Sequence, residues 1–113
     1  MKKLMLVAMV VAGFSIPASA LAATWDNAVL IDHNCAEKFG SNPDAHPTSC
    51  LLKCASSGYG ILIDGKWVKL DQAGNEKALA ALKATGKKDH IRVNVKGERK
   101  GDVIAVSTLA IPE

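Results

Sequence analysis

Gly60-Ile61-Leu62-Ile63-Asp64-Gly65-Lys66-Trp67-Val68-Lys69-Leu70 is the stretch on which the fold turns. Two apolar-rich runs, residues 60–64 and 66–70, meet at Asp64-Gly65, a pair that tolerates positive φ and so suits a tight β-hairpin. Beyond the hairpin, residues 75–85 are rich in Ala and Leu, with Leu79 and Leu82 three apart. Asn75 stands as a cap and Gly86 falls just past the end, which predicts a helix. Ile91, Val93 and Val95 then alternate with Arg92, Asn94 and Lys96, the period-two pattern of a half-buried strand. Residues 102–109 supply its partner, and the polar, glycine-flanked segment Gly97-Glu98-Arg99-Lys100-Gly101 reads as the turn between them.

Before the hairpin, Trp25 to Asp32 reads as a strand whose Ala28, Val29, Leu30 and Ile31 offer apolar side chains to both faces. His33 to Thr48 is rich in Asn, Pro, Gly, Ser and Asp and is expected to run as a surface loop. A short helix follows. Pro47 suits its first position and Gly58 its end, so that Cys50 and Cys54 fall inside it. The resulting order is strand, loop and short helix, strand, strand, helix, strand, strand. That is the order of a small five-stranded OB-like β-barrel, mainly β with α+β character, whose ligand face involves strands two and three and the neighbouring loops.

The first residues carry a different signal. Lys2 and Lys3 form a basic start, Leu4 to Ile16 form an apolar run of thirteen residues, and Ala20-Leu21-Ala22 places small residues around a cleavage point. Residues 1–22 are therefore expected to be a cleaved signal peptide, with 23–113 a single domain in the periplasm or secreted. A membrane anchor needs about 20 apolar residues, and Gly13 and Pro17 interrupt the run first. No cysteine stands at the signal's end to take a lipid, since the first is Cys35. Removal of Lys2 and Lys3 lowers the basic count from 14 to 12 against 11 acids, a net charge near +1 that does not fit nucleic-acid binding.

Chemistry concentrates in Asp32, Cys35, His46, Cys50 and Cys54, spaced D-x2-C-x10-H-x3-C-x3-C. Residues four apart on a helix share a face, which points the Cys50 and Cys54 sulfurs the same way with about 6 Å between their Cα atoms. That suits chelation better than a mutual disulfide. Cys35, His46, Cys50 and Cys54 can thus be read as a tetrahedral site for zinc, or for copper(I), whose softness matches thiolates. The competing reading is a disulfide from Cys35 to Cys50 or Cys54, enclosing 14 or 18 residues and contributing about 3 kcal/mol. A thiol redox factor is the third reading, with Cys50 near a helix N-terminus, although C-x3-C is one residue longer than the redox motif. An unpaired cysteine would also offer a route to a dimer. His33, two residues from Cys35, is a substitute for His46.

A second candidate surface joins Tyr59 and Trp67 on the hairpin to Arg99 and Lys100 on the last loop, where a barrel of this kind could stack and hold a small ligand.

The stretches Asp32 to Cys35, His46 to Cys54, Asp64-Gly65-Lys66 and Gly101-Asp102-Val103-Ile104 together make the chain resemble a family of small exported bacterial proteins known as a domain of unknown function. The likeness spans nearly the whole mature chain and departs from the family pattern at Pro47 and Leu51. It implies that the cysteine and histidine cluster acts as a unit and brings no established activity; from the residues themselves the expectation is an exported module that binds a metal ion or small ligand and is not an enzyme.

Overall fold

The structure is a computed structural model and describes residues 22–112. The expected signal peptide therefore lies, apart from Ala22, outside the described residues. Five strands, β1 (Ala23–Asp32), β2 (Tyr59–Ile63), β3 (Lys66–Leu70), β4 (Arg92–Lys100) and β5 (Val103–Ala110), close into a barrel in the order β1-β2-β3-β5-β4. All neighbours run antiparallel except β3 and β5, which pair in parallel through Lys69 with Val103 and Leu70 with Ile104. This is the OB-like barrel that the order of elements predicts. Among the described residues no helix is long and apolar enough to cross a membrane.

The deciding hairpin forms as read. Gly60 pairs with Lys69, Ile61 with Val68, Leu62 with Trp67 and Ile63 with Lys66. Asp64 (φ 53°) and Gly65 (φ 79°) both adopt the left-handed conformation, whose twist matches that of the flanking strands. Alternation in β4 also holds, with Val93 and Val95 buried and Asn94 and Lys96 exposed. The inward side chains Leu30, Ile61, Val68, Leu70, Val93, Val95, Ile104 and Val106 fill the barrel.

Helix α3 (Gln72–Ala84) closes one end of the barrel with Ala78 and Leu82. It begins three residues earlier than its Ala- and Leu-rich portion suggests, and its cap is Asp71 and not Asn75. The Asp71 carboxylate accepts from Gly74 N at 2.9 Å and from Val106 N at 3.3 Å, tying the helix start to β5. Gly74, which reads as a helix breaker in isolation, is demanded by packing: a Cβ there would lie 2.6 Å from Val106 Cγ2 and 2.9 Å from Leu70 Cβ. Asn75, one turn in, is a clamp instead. Its amide donates to the Leu70 and Asp71 carbonyls at 3.0 Å each, and its Oδ1 accepts from Tyr59 N at 2.7 Å.

Two further boundaries differ from expectation. The 97–101 segment is not a free turn: β4 continues to Lys100, the reversal is Gly101-Asp102, and Gly97 sits in the strand beside a register shift. A Cβ at Gly97 would lie 2.2 Å from the Ala105 carbonyl oxygen, so the glycine serves close strand approach. The expected 33–48 loop is a series of short turns: His33–Cys35, α1 (Ala36–Phe39) and Pro43–Ala45. After it, α2 (Thr48–Lys53) has Pro47 as an extended N-cap, and Cys54 lies just past the last helical residue.

Because Asp71 serves both the helix start and β5, Asp71→Ala should lower stability by about 1–2 kcal/mol. Urea unfolding should show this as a lower midpoint with an unchanged slope, and a midpoint equal to the parent's would show that the cap carries no load.

Candidate metal centre

Asp32 ends β1, and its carboxylate turns back over the following residues. Oδ2 accepts from Cys35 N at 3.1 Å, capping the His33–Cys35 turn, a role that short acceptor side chains favour. Its other oxygen, Oδ1, meets His46 Nε2 at 2.9 Å. Asp32 is 0% exposed and His46 2% exposed, so the contact is sealed from water.

His46 Nδ1 lies 3.2 Å from the Pro47 carbonyl, which has no proton to give, so Nδ1 carries one. The Nε2 to Oδ1 contact then holds a second proton between imidazole and carboxylate. Wherever it resides, the pair is neutral as a whole, which is the condition for burying two ionisable groups. Phe39 covers the imidazole, with ring centroids 4.6 Å apart and a tilt of 51°.

Cys35 completes the group. Among the described residues, Asp32, Cys35 and His46 each offer one ligand atom within 4.8 Å of the others, and together they could hold a metal ion. The Cys35 thiol is half-buried and is pushed up to about 11, first by desolvation and then by the Asp32 charge, with Cys54 adding charge and side-chain hydrogen bonding. Tyr59, whose hydroxyl donates to the Leu51 carbonyl at 2.7 Å, is raised to about 12 by burial and by the charges of Asp32 and Cys54. A thiol held neutral in this way is the opposite of an activated nucleophile.

The four residues expected to form a metal site are thus divided. Cys35 and His46 come together as expected, and Cys54 borders Cys35. Cys50, half-buried in α2, and Cys54, half-buried just past its last residue, both stand outside the three-residue group. Asp32 joins in their place. Its signal in the sequence is the D-x2-C spacing of a carboxylate that caps a turn three residues on.

All three cysteines are free thiols, so neither Cys35 to Cys50 nor Cys35 to Cys54 is bridged. The loop is held by polar contacts instead: Asp32 to His46, Asp44 to Arg92 at 2.7 Å, and Thr48, which bonds the Lys87 and Lys88 carbonyls at 2.8 Å each.

The second candidate surface also changes. Tyr59 is 1% exposed and belongs to the core, so it offers no stacking face. Trp67 is half-buried on the outside of the barrel, next to exposed His33 and not to Arg99 or Lys100, which sit exposed at the end of β4. His33 is accordingly separate from the Asp32, Cys35 and His46 group.

The fold and this group define a small closed OB-like barrel with a buried Asp–His pair and an adjoining thiol. No protein-family model, no curated protein and no solved structure matches the chain.

Removing either partner leaves the other buried and unpaired, so Asp32→Ala and His46→Ala should each destabilise by about 3–5 kcal/mol. The double variant should cost less than the sum by about 1–3 kcal/mol; strict additivity in a denaturation cycle would mean that the pair is uncoupled.

Stability should also fall at alkaline pH. The folded protein holds the Cys35 thiol and Tyr59 phenol neutral to about 11 and about 12, against 9.0 and 10.0 for unperturbed groups. The unfolded chain therefore releases these protons first, and the stability present below about pH 9 is lost as pH climbs toward 12. Tyr59→Phe should be less stable at neutral pH but decline less steeply above about pH 10. Identical slopes for the two proteins would remove the phenol as a cause.

Proposed function

We propose that the protein is an exported metal-binding module that holds zinc between Asp32 Oδ, Cys35 Sγ and His46 Nε2. The observation that carries this reading is the convergence of one oxygen, one sulfur and one nitrogen ligand within 4.8 Å at the edge of the core. Zinc accepts all three ligand types at about 2.0–2.3 Å, which places tetrahedral ligands roughly 3.3–3.7 Å apart. A contraction of about 1 Å therefore closes the site. The hard carboxylate favours zinc over copper(I), which prefers sulfur. Cys54, beside Cys35, is the residue positioned to supply a fourth ligand.

Ligation has a built-in competitor. The ion must displace the proton shared by Asp32 and His46 and the proton of Cys35, so the metal-free state is already satisfied. This favours a site that exchanges its ion over one that depends on it to fold, since zinc-dependent small domains lack such satisfaction when empty. The basic start and apolar run of residues 2–16 support placing this exchange in the periplasm or outside the cell. The likeness to small exported bacterial proteins supports the same setting.

Oxidation of the free Cys35 and Cys54 thiols to a disulfide in an exported setting is the second reading, favoured over Cys35 with Cys50 by the side-chain interaction of the first two. It would leave a barrel without metal.

Native and denaturing mass spectra of protein purified without chelator or reductant separate the two. Zinc loading should show one ion that departs on denaturation, with about two protons released per ion in calorimetry across buffers of different ionisation enthalpy. Cys35→Ser should lose the ion and Cys50→Ser should keep it. A chain lighter by two hydrogens and free of metal would reject the zinc site.

A further inference from the structure

The outer face of the hairpin carries a second constellation, built from residues other than the three of the metal centre. Trp67 lies directly over Gly60, its diagonal neighbour across the β2–β3 ladder. A Cβ on Gly60 would fall 2.4 Å from Trp67 Cε2 and 2.6 Å from Nε1, so only glycine lets the indole lie down on the sheet. The indole N–H donates to the Ile31 carbonyl at 3.0 Å, fixing the ring in its plane. His33 stands against it as a wall, with centroids 5.1 Å apart and an interplanar angle of 55°.

Two hollows share this pair. One, of about 410 Å³, is completed by Ser57, Lys69 and Asp102. The other, of about 460 Å³, includes Glu37. Both fall within the roughly 300–1,000 Å³ typical of small-molecule sites. His33, Lys69, Asp102 and Glu37 are exposed, while Trp67 keeps part of its surface open.

The ligand class follows from what surrounds the ring. A simple anion would meet Asp102 and Glu37, and a simple cation would meet Lys69. A purely apolar ligand would leave donors and acceptors on both sides unused. A neutral saccharide satisfies all of these groups, since its rings present C–H faces to stack on a rigid indole and hydroxyls that both donate and accept. The indole is already immobilised by Gly60 and Ile31, so stacking adds little ordering cost.

We propose that the Trp67 and His33 cleft is a saccharide-binding subsite, with Lys69 and Asp102 hydrogen-bonding the hydroxyls of a sugar stacked on the indole.

The test uses the mature protein with Trp25→Phe, so that Trp67 is the sole emitter. Fluorescence is titrated with cellotriose, maltotriose and tri-N-acetylchitotriose, with inorganic phosphate and choline as charged probes. At least one saccharide should give a saturable change with a dissociation constant on the order of millimolar. Calorimetry should show affinity falling about tenfold or more in Trp67→Ala, and severalfold in Lys69→Ala and Asp102→Asn, both exposed positions where folding is not at risk. If Trp67→Ala unfolds, those two variants decide the matter. No saturable response to the three sugars, saturation by phosphate or choline alone, or undiminished sugar affinity in Lys69→Ala and Asp102→Asn would each overturn the subsite.

Discussion

The 2.9 Å bond between Asp32 and His46 is the constraint on which the cysteine-bearing half of the molecule depends. A carboxylate at the end of a strand and an imidazole fourteen residues later are both placed beyond the reach of water. They can remain there because they share a proton and because each has a further partner: Cys35 N for the carboxylate and the Pro47 carbonyl for the ring. The short turns between them are thereby folded against the barrel without a covalent link. Phe39 and the Asp44 to Arg92 contact complete the attachment.

The same bond defines the chemistry available beside it. Their own burial, and after it the neighbouring Asp32 carboxylate, raises Cys35 and Tyr59, which removes the thiol from nucleophilic roles at neutral pH. A metal held there would have to compete with a proton for its ligands. Stability and any metal held there would draw on the same atoms.

The barrel and its outer cleft rest on a different device, close backbone approach. Gly60 allows Trp67 to lie on β2, Gly74 allows α3 to sit on Val106 and Leu70, and Gly97 allows β4 and β5 to meet at their register shift. In the linear sequence Gly97 reads as part of a turn, and nothing marks Gly60 or Gly74 as a packing position. In the folded chain each removes a side chain where two elements would otherwise collide.

The number and order of the strands were legible from the sequence because a hairpin, a capped helix and an alternating strand are local patterns, set by backbone propensity and by which side chains must avoid water. Asp64-Gly65 marked its turn, and Val93 and Val95 marked the inner face of β4. The D-x2-C spacing and His46 likewise marked residues that could together hold a metal ion. What only the tertiary structure decided was which of those residues meet. Asp32 and Cys35 are joined by a turn, but His46 reaches them through a chain of short turns whose path depends on contacts with β4 and with residues 87–88, far away in sequence. Cys50 and Cys54 both stay outside that group, and Tyr59 is buried with its hydroxyl on the Leu51 carbonyl. Spacing along a chain sets how far a side chain can travel. The packing of distant elements sets where it arrives.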